Sequence, residues 1–475
     1  MTASSPAQNA RPLTRQDFPV NDRREIFGWM MYDWANSGFY TTVATALLGP
    51  YLTVLAQTAV GENGVILSFG ALGAVTAKSF FPFCVAASVF LQVFLLPTLG
   101  AIADYTNLKK RLMIFFCYVG TGATCLLFFI TVNLYLLGGL LYIIANLTFG
   151  ATIVIYNAFL PEITTEEMRD KVSSRGFAIG YLGGGLLLAA NLALVSGAAR
   201  LGISQALAVR LSILSAGLWW GGFSLITFTR LHVRRPMKAL PADKNYLTVG
   251  FSQLRETFRE LRRLPHTLQY LIAYLFYNDG IQTVISMSTV FLSQELFRAR
   301  GLEIDQSFLL GLLLVIQFVA FFGSLIFERV ANRFGTKNAI MISLILWSGA
   351  VIYTYGFLYT IPQAWLMGVL IALVLGGSQA LSRSLFSLMI PKGREAAFFG
   401  IYEISERGTS WMGPLIFGIV VAATNSYRQA VLSLIIFFIV GMLILFFTNT
   451  MKAVHSAGNA LPEEAESISS SSASV

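Results

Sequence analysis

Charged residues are scarce in this 475-residue chain: only 12% of the residues are Asp, Glu, Lys or Arg, whereas 55% are hydrophobic. The mean hydropathy is +0.67. Soluble domains of this size do not have such a composition. The scarcity of charge therefore excludes an ordinary soluble protein and predicts one that crosses a membrane many times.

Cysteine and histidine are rarer still, with three residues of each. The cysteines lie within apolar stretches and are odd in number, so neither a disulfide framework nor a metal cluster is indicated. The histidines fall outside those stretches, at His232, His266 and His455, which leaves no intramembrane base and no paired metal ligands. A nucleotide-binding Gly-x-x-x-x-Gly-Lys-Ser/Thr motif is also missing. We therefore expect no enzyme activity, no cofactor and no metal site.

Apolar runs of about 20 residues, the length that spans a bilayer, occur twelve times along the chain. The predicted spans cover 26–56, 77–103, 110–132, 135–160, 174–198, 206–230, 267–294, 306–331, 337–358, 364–390, 396–423 and 427–450. They predict an all-α membrane protein with twelve transmembrane helices. Gly176, Gly180 and Gly184 recur every fourth residue on span five and predict a close helix-packing surface.

Two similar halves are indicated by the order of the motifs. Tyr32-Asp33 in span one resembles Tyr277-Asn278-Asp279 in span seven, and spans four and ten both end at a proline before a charged turn. Such repetition predicts two pseudo-symmetric six-helix halves with a site between them. The predicted regions are an N-terminal segment (1–25), the two halves (26–231 and 267–450), a basic linker (232–266) and a disordered tail (451–475). We expect an interfacial helix within the linker at 252–263, with a solvated linker as the alternative.

Positive charge is distributed unequally between the two sets of connections. If the N-terminus is cytosolic, 25 of the 33 Lys and Arg residues fall on the cytosolic side, 6 on the other side and 2 within spans. Because short cytosolic connections are enriched in Lys and Arg, both termini are predicted to be cytosolic. The net charge of +9 is spread over these connections without a continuous stripe, so no nucleic-acid partner is expected.

This orientation is directly testable. Single cysteine reporters near Asn107, Lys244 and Ser467, introduced after removal of the native cysteines, should react with an impermeant thiol reagent only from the cytosol. Labelling of position 244 from outside would overturn the orientation.

The connection after span two contains a short signature. It reads Gly100-Ala101-Ile102-Ala103-Asp104 and is followed by Lys109-Lys110-Arg111, which resembles the Gly-x-x-x-Asp signature of the major facilitator superfamily. Tyr105 and Asn107 depart from that signature, and the second half has Asn332 in place of its acidic residue. The resemblance implies the major facilitator fold. We expect Gly100 to allow close helix approach and Asp104 to lie at the N-terminus of span eleven. The cytosolic gate candidates are Gly100, Asp104, Arg111 and Arg407.

Longer motifs indicate a narrower branch. The stretches 29–37, 157–161, 277–280 and 376–384 resemble the autophagy-related vacuolar effluxers and their bacterial relatives. The resemblance covers nearly all the spans and implies a secondary transporter. It implies location in the bacterial inner membrane, or in a vacuolar-type membrane in a eukaryote.

Polar side chains on spans one and seven are candidate substrate or coupling residues. Asp33, Asn36 and Tyr40 recur at i, i+3 and i+7, so they share one face, which either lines a central cavity or caps the cytosolic end of the span. Asp279 shares a face with Gln282, has Asn278 beside it and lies near the bilayer midplane. It is either a proton carrier or one member of a permanent ion pair between the halves.

Spans ten and eleven contain the remaining candidates. With a rise of 1.5 Å per residue, Arg383 and Glu403 each lie roughly 12 Å from the turn at Pro391, which predicts an ion pair between them. Arg383 either binds a substrate carboxylate, gates the cytosolic mouth or is structural. The alternative for Glu403 is pairing with Arg407, which lies at i, i+4 on the same helix. Gln379 and Glu406 are further candidates on these spans, and Asn157, in the motif at the end of span four, completes the set.

The expected function is secondary active transport of a small solute, an amino acid or related metabolite, with protons as the candidate coupling ion. The alternatives are an exporter of drugs or other metabolites, or a receptor or scaffold that transports nothing. We expect a monomer whose partners are a small-molecule substrate and the lipid bilayer.

Overall fold

The computed structural model describes residues 19–61, 64–68, 74–77, 79–105, 108–234, 246–301, 306–407, 412–424 and 426–459. Helices dominate every part of the described chain. The first half contains α1 (Arg23–Gly38), α2 (Leu48–Val60), α3 (Phe80–Tyr105), α4 (Lys109–Leu126), α5 (Tyr135–Ile163), α6 (Arg169–Ser196) and α7 (Gln205–Arg230). A π-helical stretch, Phe39–Leu47, joins α1 to α2 into one long span.

The second half follows a linker helix, α8 (Tyr246–Arg263). Its helices are α9 (Pro265–Leu292), α10 (Gln306–Phe334), α11 (Thr336–Gly356), α12 (Ile361–Leu388), α13 (Glu395–Arg407), α14 (Met412–Thr424), α15 (Tyr427–Ser433), α16 (Ile435–Phe447) and α17 (Thr450–Ser456). We call the end of the bundle that holds α8 the linker side.

Ten helices in the described residues are long and apolar enough to cross a membrane. The two other predicted spans correspond to α9, whose centre is polar at Asn278 and Asp279, and to α13 with α14. Residues 408–411, between α13 and α14, lie outside the described chain. The all-α membrane fold is confirmed, and the described helices are consistent with twelve spans.

The two halves meet mainly along α3 with α13 and α6 with α10, and further contacts join α6 to α12 and α5 to α13. Within the first half, the glycine strip of α6 packs against α1: a Cβ added at Gly176 would meet Trp29 and Asp33, and one at Gly184 would meet Ser37 and Thr41. The predicted packing surface on span five is therefore confirmed. It brings the α6 backbone close to the polar face of α1.

Three local features differ from expectation or add to it. A short antiparallel hairpin, β1 (Val65–Ser68) with β2 (Ala74–Thr76), lies between α2 and α3 and was not predicted. The expected interfacial helix is part of the longer α8. The prediction of a disordered tail is wrong for residues 451–459, because α17 lies there and Asn459 donates to the carbonyls of Leu388 and Ile390 at 2.8 and 2.9 Å. Residues 460–475 lie outside the described chain.

Candidate functional site

Arg383 lies on α12 and is almost fully buried where the two halves meet, with 4% of its side chain exposed. Its Nε donates to Ser173 Oγ and its Nη2 donates to the Ser173 carbonyl, both at 2.9 Å. Its Nη1 lies 3.4 Å from Asp33 Oδ2 on α1. One guanidinium of the second half is therefore held by two helices of the first half.

Aromatic rings enclose this guanidinium. Its central carbon lies 4.2 Å from the centroid of Phe177, 4.8 Å from Trp29 and 5.7 Å from Tyr156. Trp29 stacks on Tyr156 with ring centroids 4.4 Å apart. Cation–π contacts become stronger when the cation is desolvated, so these rings stabilise the positive charge where water does not reach it.

Asp33 has a second partner besides Arg383. The Tyr156 hydroxyl donates to Asp33 Oδ2 at 2.7 Å. A carboxylate shared by a guanidinium and a phenol is well satisfied, whereas removal of either charge would leave the other buried without an opposite charge. The structure thus places Asp33 inside the interface between the halves, not at an exposed helix cap.

The expected direct ion pair between Arg383 and Glu403 is replaced by a bridge. Asn157 on α5 accepts from Arg383 Nη1 at 3.4 Å and donates to Glu403 Oε1 at 3.0 Å. The two charged side chains are thus close enough for one asparagine to contact both. Arg383, however, lies on the face of α12 directed toward α1 and α6, so its described carboxylate partner is Asp33.

The neighbouring acidic residue Glu406 contacts α9. Tyr274 donates to Glu406 Oε2 at 3.2 Å, and Asn278 Nδ2 donates to the Glu406 carbonyl at 3.3 Å. Glu403 is fully buried, whereas Glu406 is partly exposed. The Arg407 side chain lies outside the described residues, so its predicted pairing with Glu403 stays a prediction.

Several less buried polar side chains lie between Arg383 and the end of the bundle opposite the linker. Gln379, one turn before Arg383, accepts from the Tyr181 hydroxyl of the first half at 2.5 Å. Asn36 is buried, and no described residue bonds to its Nδ2. Tyr40, one turn further, is 46% exposed. Tyr40 lies in the π-helical stretch that follows α1, so this face of the first span changes from buried to exposed across the end of α1.

Asp279 lies in the second half and is almost fully buried. Its Oδ2 accepts from the N–H of Gly413 in the first turn of α14 at 2.7 Å, and its Oδ1 has no hydrogen-bond partner among the described residues. The carboxylate therefore complements a helix N-terminus within its own half. Among the described residues it forms no ion pair to the first half, which disfavours that alternative. Gln282, one turn away, is partly exposed.

On the linker side, Asp104 at the end of α3 accepts from the N–H groups of Ala396 and Ala397, at 2.9 and 2.8 Å, in the first turn of α13. A Cβ added at Gly100 would meet the Ala396 backbone, so the two helices touch there. Lys109 Nζ lies 3.8 Å from Asp104 and 2.7 Å from Glu162. These contacts join the two halves at this end.

Arg111 was predicted to belong to the cytosolic gate, but it does not lie at the contact between Asp104 and α13. It is exposed on α4, and Lys109, two residues earlier, supplies the positive charge nearest Asp104. The helical position explains the difference, because residues two apart on a helix point about 200° away from each other. Of the described gate candidates, Gly100 and Asp104 lie at the interface between the halves.

Further contacts across the halves on the linker side were not anticipated from the sequence. Arg169 Nη1 donates to the Ser387 carbonyl at 3.0 Å, Thr336 Oγ1 donates to Asp170, and Arg175 lies 3.6 Å from Glu328. The sequence feature that could have identified Arg169 and Asp170 is their position at the start of α6, in the charged turn after Pro161. Ser173 also precedes Gly176 by three residues, which puts it on the glycine strip.

The Asp104 contact gives a testable effect on conformation. Hydrogen bonds to a charged group contribute about 1.5 to 3 kcal/mol each, so Asp104→Ala should weaken closure on the linker side. Ser387, 1% exposed on the closed side, is a suitable reporter as Ser387→Cys in a background without the native cysteines. We expect Asp104→Ala to accelerate labelling of this cysteine from the linker side about tenfold or more. Unchanged labelling would show that Asp104 does not stabilise closure.

Two helical halves joined by buried polar contacts, with closure at one end, are typical of the major facilitator class of membrane transporters. Solved structures of that class share the fold: the human organic anion transporter MFSD10 aligns with a TM-score of 0.64 at 14% identity, over 90% of this chain and 100% of that chain. The proton:xylose symporter XylE aligns with a TM-score of 0.64 at 15% identity, over 93% of this chain and 96% of its own. Identities this low establish the fold alone.

The chain belongs to the family described as vacuole effluxer Atg22 like, whose model matches residues 21–458. An uncharacterized MFS-type transporter of Bacillus subtilis, YxiO, is 34% identical over 91% of this chain and 97% of its own. Autophagy-related protein 22-1 of Aspergillus niger is 27% identical over 87% of each chain. The chain is therefore an MFS-type transporter and a multi-pass integral membrane protein. The resemblance found in the sequence is confirmed, and so is the expectation that the protein is not an enzyme.

Proposed function

We propose that the protein moves a small solute, an amino acid or a related metabolite, across its membrane by alternating access coupled to protons. The observation that supports this most is the buried pair of Arg383 and Asp33, which joins the two halves. The pair lies on the linker side of the less buried polar residues Gln379 and Tyr40. A charged pair in this position has to separate when the halves rock. Its opening and closing then accompany each transport cycle.

The contacts of Arg383 in this conformation support a structural role for it and a substrate-binding role for other candidates. Arg383 is fully engaged by Asp33, Ser173 and Asn157, so in this closed arrangement it has no free face for a substrate carboxylate. We infer that Arg383 stabilises closure of the linker side. The solute binds farther from the linker side, among the more exposed groups Tyr40, Gln282 and Gln379.

The region contains groups that suit both charged ends of a zwitterionic solute. Glu406 is a partly exposed carboxylate on one side of this region, while amide and phenol groups line the other. An ammonium group suits the first and a carboxylate suits donors of the second kind. The family description supports efflux as the direction. We further propose that the linker side, and with it both termini, faces the cytosol.

Purified protein in liposomes tests the proposal directly. Vesicles preloaded with an unlabelled amino acid should accumulate the same labelled amino acid by counterflow, and a panel of amino acids, peptides and organic anions identifies the preferred class. Empty liposomes and vesicles containing Gly100→Val provide the background. Counterflow with organic anions or drugs but with no amino acid would replace the proposed substrate class, and absence of any flux would favour a receptor or scaffold.

Proton coupling is proposed to depend on Asp279, whose Oδ1 has no described partner in a buried site. Asp279→Asn keeps an oxygen that accepts from Gly413 N–H but removes the exchangeable proton. Counterflow should persist within about threefold, whereas accumulation driven by a pH gradient should disappear. Asp22→Asn is the matched control, because Asp22 is also a helix cap, but at the start of α1. A full response of Asp279→Asn to the gradient would exclude Asp279 as the coupling site.

A further inference from the structure

The linker helix α8 separates its charges by face. Arg255, Arg259 and Arg262, spaced i, i+4 and i+7, share one side and are all exposed, with Arg263 beside them. The two acidic residues of the same stretch, Glu256 and Glu260, instead reach Arg394 of the second half at 3.8 and 3.0 Å. The outer face of α8 therefore presents four arginines whose nearest acidic neighbours along the helix are engaged elsewhere.

The contacts of α8 place the helix next to the end of a predicted membrane span. Its buried side, with Thr257 and Leu261, packs mainly on α3, and also on α9 and α13. Only Leu264 separates α8 from α9, which enters the membrane region. Phe258, at the edge of the arginine face, is 47% exposed. A basic helix face with an exposed aromatic residue beside it is the pattern of helices that lie in the interface of a bilayer.

We propose that the outer face of α8, formed by Arg255, Arg259, Arg262 and Arg263 with Phe258, binds the phosphate headgroups of anionic phospholipids. The guanidinium fork matches the phosphate oxygens, and several arginines in a row fit a surface with many phosphates better than a single soluble anion. Phe258 would enter the acyl boundary beside them. Zwitterionic lipids lack the net charge that this face complements.

Occupancy of this face would also affect the closed state. Arg394 ties α8 to the start of α13, next to the N–H groups of Ala396 and Ala397 that bind Asp104. A lipid that holds α8 in place therefore supports the contact that closes the linker side. This consequence concerns conformation and does not depend on which solute is transported.

The test compares binding of fluorescent phosphatidylglycerol and phosphatidylcholine to the full-length protein in detergent micelles. Arg255→Gln with Arg259→Gln removes two exposed arginines one turn apart. Arg329→Gln with Arg333→Gln is the matched control, since these are also exposed, one turn apart and on the linker side of α10. Because each arginine near an anionic surface changes the affinity about fivefold, the α8 double variant should bind phosphatidylglycerol about 25-fold more weakly. The control should stay within about threefold of the wild type.

Three results would overturn the proposal. Equal loss in both double variants would mean that only net charge matters. Equal binding of phosphatidylcholine would remove the requirement for an anionic headgroup. Full displacement of the lipid by millimolar glycerol 3-phosphate would identify a soluble phosphate site instead of a lipid surface. Arg255→Lys with Arg259→Lys, which keeps the charge, should retain most of the binding and serves if the Gln variants aggregate.

Discussion

Arg383→Ala should abolish net transport and lower the stability of the protein by about 3 to 5 kcal/mol, the usual effect of removing one partner of a buried pair. The loss has two physical sources. Asp33 keeps its Tyr156 hydrogen bond but loses the positive charge that compensates its burial. The rings of Trp29 and Phe177 lose the cation between them.

Arg428→Ala is the matched control for this variant. Arg428 Nε donates to Glu295 at 2.8 Å, and both residues belong to the second half. Its loss removes an ion pair without changing contacts between the halves. We expect a moderate decrease in thermal stability, unchanged labelling of Ser387→Cys and transport within a few-fold of the wild type.

A double variant distinguishes a role of Arg383 in closing the linker side from direct contact with the substrate. Asp33→Asn with Arg383→Gln removes both charges together, so neither remains buried without its partner, and folding should recover relative to Arg383→Ala. If the pair only holds the halves together, the double variant should bind solute with near-normal affinity. The cysteine of Ser387→Cys should then react faster with the thiol reagent than it does in the wild-type background. A protein that folds and keeps closure but no longer binds solute would show that this pair contacts the substrate, and the single variant Asp33→Asn then shows whether the contact belongs to Asp33 or to Arg383.

Local sequence patterns predicted much of this site. The Gly100 to Asp104 signature indicated both the close helix approach and the carboxylate at the N-terminus of span eleven. Four-residue spacing indicated the packing strip of Gly176, and i, i+4 spacing put Gln379 on the face of Arg383. Each of these inferences depends only on helix geometry over a few turns.

The partner of Arg383 could not be predicted in the same way. Helical rise gives the depth of a residue along its span, and depth alone made Glu403 a reasonable partner. The rotation of α12 about its own axis depends on packing against α10 and against α6, whose Ser173 lies 210 positions before Arg383 in the sequence. Asp279 was likewise identified as buried and polar, but its acceptance of the Gly413 N–H depends on where α14 begins.

Gly100→Val should trap the transporter open on the linker side and reduce transport by up to about 100-fold. An added Cβ would meet the backbone of Ala396, which cannot rotate away as a flexible side chain can, so α3 and α13 have to separate. Overpacking of this kind costs about 1 to 3 kcal/mol, and 3 kcal/mol shifts the balance between two conformations roughly 100-fold. The cost falls only on the linker-closed state, because the contact forms only there.

The control and the readout make this effect specific. Gly122→Val introduces the same side chain into α4, where nothing lies within 4 Å of the added Cβ, so it should transport normally. In Gly100→Val, labelling of Ser387→Cys from the linker side should rise, while labelling of a cysteine at exposed Tyr40, on the opposite side, should fall. Adding Asp104→Ala to Gly100→Val should change little, since both substitutions weaken the same contact between α3 and α13. A fully additive effect, or equal loss of transport in Gly122→Val, would show that Gly100 does not act through that contact.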